Sequence, residues 1–145
     1  MNRREMLASA GGIAVVSMAG AAFASESAHD HKHIKTENKN TDLVRSANEC
    51  VVTAEICLDS CIEVLATGDK SMAICAESVI ELSSVCTALE KSAAHGSKHL
   101  KQVAAVARQV CLSCEEECLK HKEYKQCLDC AKACKECAEI CKKYI

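Results

Sequence analysis

The chain has 145 residues, thirteen of them cysteine, with no proline, one phenylalanine, two tyrosines and a formal net charge of −2. So little aromatic surface and no basic excess exclude nucleic acid as an expected partner, since neither base stacking nor phosphate neutralisation has side chains to work with. Abundant Ala, Leu, Val, Glu and Lys without proline exclude a sheet-rich domain and point to an all-α class. The cysteine level marks a disulfide scaffold or a thiolate metal site, and thirteen, being odd, cannot all pair within one chain.

In chain order, residues 1–24 read as an export signal. Arg3-Arg4 is followed by Met6-Leu7 and by a weak apolar run containing Gly11, Gly12 and Gly20, which resembles a twin-arginine leader. Ala22-Phe23-Ala24 is a small-residue cleavage pattern with the cut before Ser25. The expected localisation is the periplasm, by a route that carries folded proteins. The mature chain of about 120 residues then forms one domain and carries no membrane span. Residues 25–41 are polar and aperiodic, the pattern of a flexible arm. His29, His31 and His33 alternate within that arm and offer imidazoles to copper or zinc, although the plainer reading is a solvated linker.

The helical domain is expected over 42–145. The first helix, about 41–66, places Cys50, Cys57 and Cys61 on one face with Leu43, Ala47 and Ala54. A second stripe, Val44, Val51, Leu58 and Ile62, lies about 100° away and suits contact with another subunit. After the break at "TGDK", the spacing predicts a helix over about 70–93, with Cys75 and Cys86 aligned with Val79, Leu82 and Leu89. Gly96 is placed to stop it and Ser97 to cap the next, about 97–119, where Cys111, Cys114 and Cys118 continue a face begun by Leu100, Ala104 and Ala107. The last helix, about 122–143, contains "CLDCAKACKECAEIC". Its Cys127, Cys130, Cys134, Cys137 and Cys141 fall within an arc of about 80°, with Lys132, Lys135, Glu136, Glu139 and Lys142 opposite.

All thirteen thiols thus face one core. Short connections favour an antiparallel up-down-up-down four-helix bundle. Both short loops then share one end, where Cys61, Cys75, Cys118 and Cys127 gather with Met72 and His121. A thioether and an imidazole at a thiol-rich mouth suit entry of a soft metal. The plainer readings are a gap-filling methionine and a solvated loop histidine.

Three uses fit such thiols. As structural residues they would bury less apolar area than Leu, Ile or Val, and disulfides between facing helices need Cα separations of about 4.4–6.8 Å against usual interaxial distances of about 8–10 Å. A zinc site is normally built from four ligands on tight turns, whereas these pairs lie inside helices. No iron–sulfur motif occurs, and no Glu-x-x-His pair lies on a predicted helix. The third use is Cu(I), with multiple ions per chain. Cu(I) is soft and favours thiolates, and each Cu⁺ replacing one thiol proton leaves the interior neutral. An isolated zinc tetrathiolate leaves two negative charges.

A twin-arginine-like leader followed by a bundle lined by thirteen cysteines, with "CLDSC", "CLSCEEEC" and "CLDCAKACKECAEIC", resembles the bacterial copper storage proteins. The resemblance spans about residues 42–145 and implies a homotetramer of bundles that each hold many Cu(I) ions and supply cuproenzymes. It carries the ligand role to each of the thirteen cysteines and implies copper donor or acceptor proteins as partners. Met72 and His121 are the mouth residues it implies, fewer than some exported relatives possess. Detoxifying sequestration needs the same core and stays open. An enzyme is not expected, because neither a Ser/His/Asp arrangement nor a nucleotide loop is evident.

Overall fold

Uninterrupted helix formers give four α-helices in chain order, α1 (Thr41–Ala66), α2 (Ala73–Ala94), α3 (Leu100–Leu119) and α4 (Lys125–Cys141), closed by a 3-10 turn over Lys142–Tyr144. The computed structural model describes residues 38–145; residues 1–24, which read as an export signal, and His29, His31 and His33 lie outside the described residues. Each helix packs on two others in a ring, α1 and α3 each touching both α2 and α4. The senses alternate. Asn40, beside the start of α1, donates through Nδ2 to the Ala93 carbonyl at the end of α2 (2.9 Å), and Cys75 near the start of α2 faces Cys118 near the end of α3 (Sγ to Sγ 3.9 Å). This is the antiparallel up-down four-helix bundle expected from the sequence. Among the described residues there is no strand, and no helix is long and apolar enough to cross a membrane.

The helix limits shift from the expected ones for local reasons. α2 begins three residues late because the Asp69 carboxylate accepts the Ser71 N–H (2.9 Å) and holds the chain in a turn that ends with Ala73 N–H on the Lys70 carbonyl (3.1 Å). α3 also begins late. Gly96 takes φ +60°, its N–H bonds the Ala93 carbonyl (3.3 Å), and the Ser97 N–H bonds the Ser92 carbonyl (2.9 Å). That pattern is a Schellman close, so Ser97 is spent ending α2 and forming the turn to Leu100, rather than capping α3. α4 starts at Lys125 because Tyr124 is extended (ψ 120°), and its last turn tightens to 3-10 geometry after Cys141.

The core is unusual in what fills it. Its large aliphatic members are Leu43, Met72, Val79, Leu82 and Leu89; the rest is alanine and cysteine. The mouth formed by the α1–α2 and α3–α4 loops is rich in sulfur. The opposite end holds Leu43, Leu89 and Ala93 in the core with Leu100 and Tyr144 packed against them. Of the second stripe on α1, Val44, Val51 and Leu58 are half-buried against this same core, whereas Ile62 is 53% exposed.

The aliphatic end is latched by the C-terminus. The Tyr144 hydroxyl donates to Asp42 Oδ1 (2.8 Å), and Lys143 Nζ lies 3.2 Å from Asp42 Oδ2. The Tyr144 hydrogen bond, aided by Lys143, holds the Asp42 carboxyl below its ordinary range, while burial and the same bond push the phenol up to about 12. The carboxylate's contribution is therefore present above the unfolded carboxyl pKa and lost as pH falls through the lower folded value. That of the phenol is present below pH 10 and lost as pH rises through about 12. Because Asp42 is largely solvated, Asp42→Asn is expected to change global stability by less than about 1 kcal/mol. The same change should accelerate amide exchange in the last turn, and unchanged exchange there would show that the latch holds nothing.

Candidate metal centre

Helical spacing of three and four residues delivers every thiol to the interior. All thirteen cysteines have no solvent-exposed surface, and none is in a disulfide. Small neighbours allow the approach: Ala47 and Ala54 on α1 and Ala131, Ala133 and Ala138 on α4 are buried, and Cys50 Sγ reaches the Ala133 carbonyl across that interface at 3.3 Å.

Sulfur meets sulfur along the core. Cys57 and Cys127 lie 3.7 Å apart, Cys114 and Cys118 3.8 Å, Cys75 and Cys118 3.9 Å, and Cys86 and Cys111 3.9 Å. These are non-bonded separations, far beyond the roughly 2.05 Å of a disulfide. Four groups have all their sulfurs within 4.8 Å of one another: Cys57/Cys61/Cys75, Cys57/Cys118/Cys130, Cys114/Cys130/Cys134 and Cys50/Cys86/Cys111/Cys137. The first three groups are joined, since Cys57 belongs to two of them and Cys130 to two. Cys127 adds to this string through Cys57, and Cys141 follows Cys137 by one helical turn on α4.

The electrostatics follow from burial. Desolvation is the main cause that pushes the Cys61 and Cys127 thiols above their ordinary range. Within touching pairs the shifts divide. Hydrogen bonding with Cys118 pulls Cys114 down while Cys118 rises, and the bond between Cys111 and Cys137 lowers Cys137 and raises Cys111. In a metal-free core, therefore, most thiols keep their protons, and a soft ion must displace them to bind.

The two non-thiol candidates sit where the sequence places them. Met72, just before α2, has no exposed surface and belongs to the same core cluster as the thiols. His121 is in the α3–α4 loop with its side chain 14% exposed, so it is not a freely solvated loop residue; its Nε2 lies 3.8 Å from Glu117 Oε1. Glu117 also pairs with Lys120 at 2.5 Å. Glu117 carries no distinguishing signal in the sequence, because a glutamate four residues before a histidine reads as an ordinary helix-surface pair. Arg108 is likewise hidden by pattern, as one of two basic residues on α3; its Nε is buried without a hydrogen-bond partner among the described residues.

Fold and site together define a four-helix bundle whose interior thiols form groups that could hold metal ions. The family model for "Csp: Copper storage protein" matches residues 36–145, and the chain belongs to that family. Among solved structures it is similar to the Cu(I)-bound copper storage protein BsCsp3, at 25% identity and TM-score 0.66 over 72% of this chain and 96% of that one. It shares its fold with a histidine-to-alanine mutant of Streptomyces lividans Ccsp, at 23% identity and TM-score 0.63 over 72% of this chain and 90% of that one. No curated protein matches it.

Proposed function

We propose that this chain stores Cu(I), many ions at a time, on the thiolates of Cys50, Cys57, Cys61, Cys75, Cys86, Cys111, Cys114, Cys118, Cys127, Cys130, Cys134, Cys137 and Cys141. The observation that carries the reading is that thiol groups share members. A thiolate common to two groups, as at Cys57 and Cys130, is placed to bridge two ions, so the string supports an extended chain of metals rather than isolated centres. Charge agrees with this. Each Cu⁺ forms Cu–S bonds as one thiol proton leaves for solvent, and the dry interior stays neutral.

Met72 and His121 are proposed as the entry residues at the loop end, where the buried Cys61, Cys75, Cys118 and Cys127 gather. Export by the twin-arginine route to the periplasm, assembly as a homotetramer and supply of copper to cuproenzymes through acceptor proteins complete the proposal. Exposed Ile56, Ile62, Ile74 and Ile80 on α1 and α2 support assembly between copies.

The test is an anaerobic titration of reduced protein with Cu(I) against a chromogenic chelator, with thiols counted before and after. More than about ten ions per chain are expected, with little change in helix content, because one ion replaces about one proton. Since burial raises thiols such as Cys61 and Cys127, protons compete better for sulfur as pH falls, and retained copper should decline in that direction. Saturation at one or two equivalents would sink the proposal.

A further inference from the structure

One thiol group differs from the other three in construction. Cys50, Cys86, Cys111 and Cys137 come one from each of α1, α2, α3 and α4, meet with all sulfurs within 4.8 Å, and share no member with the other groups. Among the described residues it is the only group with four donors. We propose that this layer is a separate mononuclear site for a divalent thiophilic ion, of the zinc class, occupied when the core holds no copper.

Geometry is the first support. A tetrahedron with metal–sulfur bonds of about 2.3 Å needs sulfur–sulfur edges of about 3.8 Å. Cys86 and Cys111 already stand 3.9 Å apart, and the remaining edges, at most 4.8 Å, close with shifts of less than about an ångström spread over four rigid helices. None of the three-thiol groups has a fourth sulfur within 4.8 Å of all its members, and their shared members suit bridging instead.

Charge is the second support. Binding forms four metal–sulfur bonds as four thiol protons leave to solvent, with no change of oxidation state, and the tetrathiolate carries two negative charges. A bare dianion in this core is costly. Arg108 lies one helical turn before Cys111 on α3, its Nε is buried and unpartnered among the described residues, and its positive charge is felt at Cys141, one helical turn after Cys137 on α4, as well as at Glu139. An arginine whose charge reaches this neighbour of the layer offsets part of the charge that a string of neutral Cu(I) thiolates does not create.

Cobalt(II) is the probe, added anaerobically to the full chain, reduced and metal-free. The expected result is one equivalent per chain giving intense tetrahedral ligand-field bands and sulfur-to-cobalt charge transfer. Cobalt held by the histidine arm lacks the charge-transfer band. Cys50→Ser and Cys86→Ser should each lose that spectrum while circular dichroism shows the helices intact, and Cys61→Ser should keep it. One equivalent of Zn²⁺ should erase it. No tetrathiolate spectrum with wild type, or a spectrum that survives in both Cys50→Ser and Cys86→Ser, overturns the proposal. Measuring Cu(I) capacity on the same variants separates the two readings. A single substitution in the layer leaves most of the copper capacity in place, so failure of the cobalt site does not touch the storage proposal.

Discussion

Replacing Cys127, Cys130, Cys134, Cys137 and Cys141 together by serine is expected to lower the copper capacity by about five ions per chain, because each thiolate accounts for about one Cu⁺. These five residues form the whole sulfur face of α4 and contribute to three of the four thiol groups, including Cys130, which belongs to two. The hydroxyl of serine is a poor ligand for a soft ion and stays protonated. The loss should not be uniform across ions. Cys57, Cys61 and Cys75 retain a complete group built from α1 and α2 alone, whereas each of the other three groups loses at least one member, so ions at the Cys57/Cys61/Cys75 group are the least affected. Each buried hydroxyl costs about 1 kcal/mol unless it bonds a carbonyl one turn back on its own helix, so circular dichroism of the metal-free variant must accompany the titration. A milder variant, Cys130→Ser with Cys134→Ser, removes the Cys130 bridge with less burden on the fold. An unchanged capacity in both would contradict the assignment of α4 as ligand wall.

Leu82→Ala is expected to destabilise the metal-free chain by about 2–5 kcal/mol. Leu82 has no exposed surface and is one of only a handful of large apolar side chains in a core otherwise made of alanine and cysteine. With most of that core alanine and cysteine, few large side chains can collapse into the space, which places the cost toward the upper part of that range. For a domain of this size the drop in Tm is roughly 10 °C or more. The copper-loaded protein should behave differently. Ions that bind the folded core and not the unfolded chain add stability by mass action, and metal–sulfur bonds then tie the helices in place of apolar contact. Thermal unfolding of the variant with and without copper checks both parts; an equal loss of Tm in the two states would mean that the ions do not cross-link the helices.

Most of the architecture is legible in the chain because one pattern does two jobs. Spacing of three and four residues defines both the helix and the buried stripe, so the thiol faces identify four helices and their orientation at once. What spacing does not convey is depth. That Cys50, Cys86, Cys111 and Cys137 lie at one level depends on how far each helix is slid along its neighbours, which is set by turns such as the Schellman close at Gly96 and the Asp69 turn. The expected limits miss those turns by three residues, about one helical turn, enough to change which cysteines face one another. Residues whose role depends on a partner in space, such as Glu117 beside His121 or the orphaned Nε of Arg108, carry no mark in sequence.

The latch of Tyr144 and Lys143 on Asp42, above Leu43 and Leu89, makes the bundle a vessel with a sealed floor. On the proposed entry through the loop end alone, ions would file past one another's sites in both directions. The deepest occupants would then be the first to arrive and the last to leave, so such a vessel would empty in the reverse of the order in which it fills. The most recently acquired copper would be the readily spent part of the reserve, and the ions beside the floor would form a standing stock that turns over only when the rest is gone.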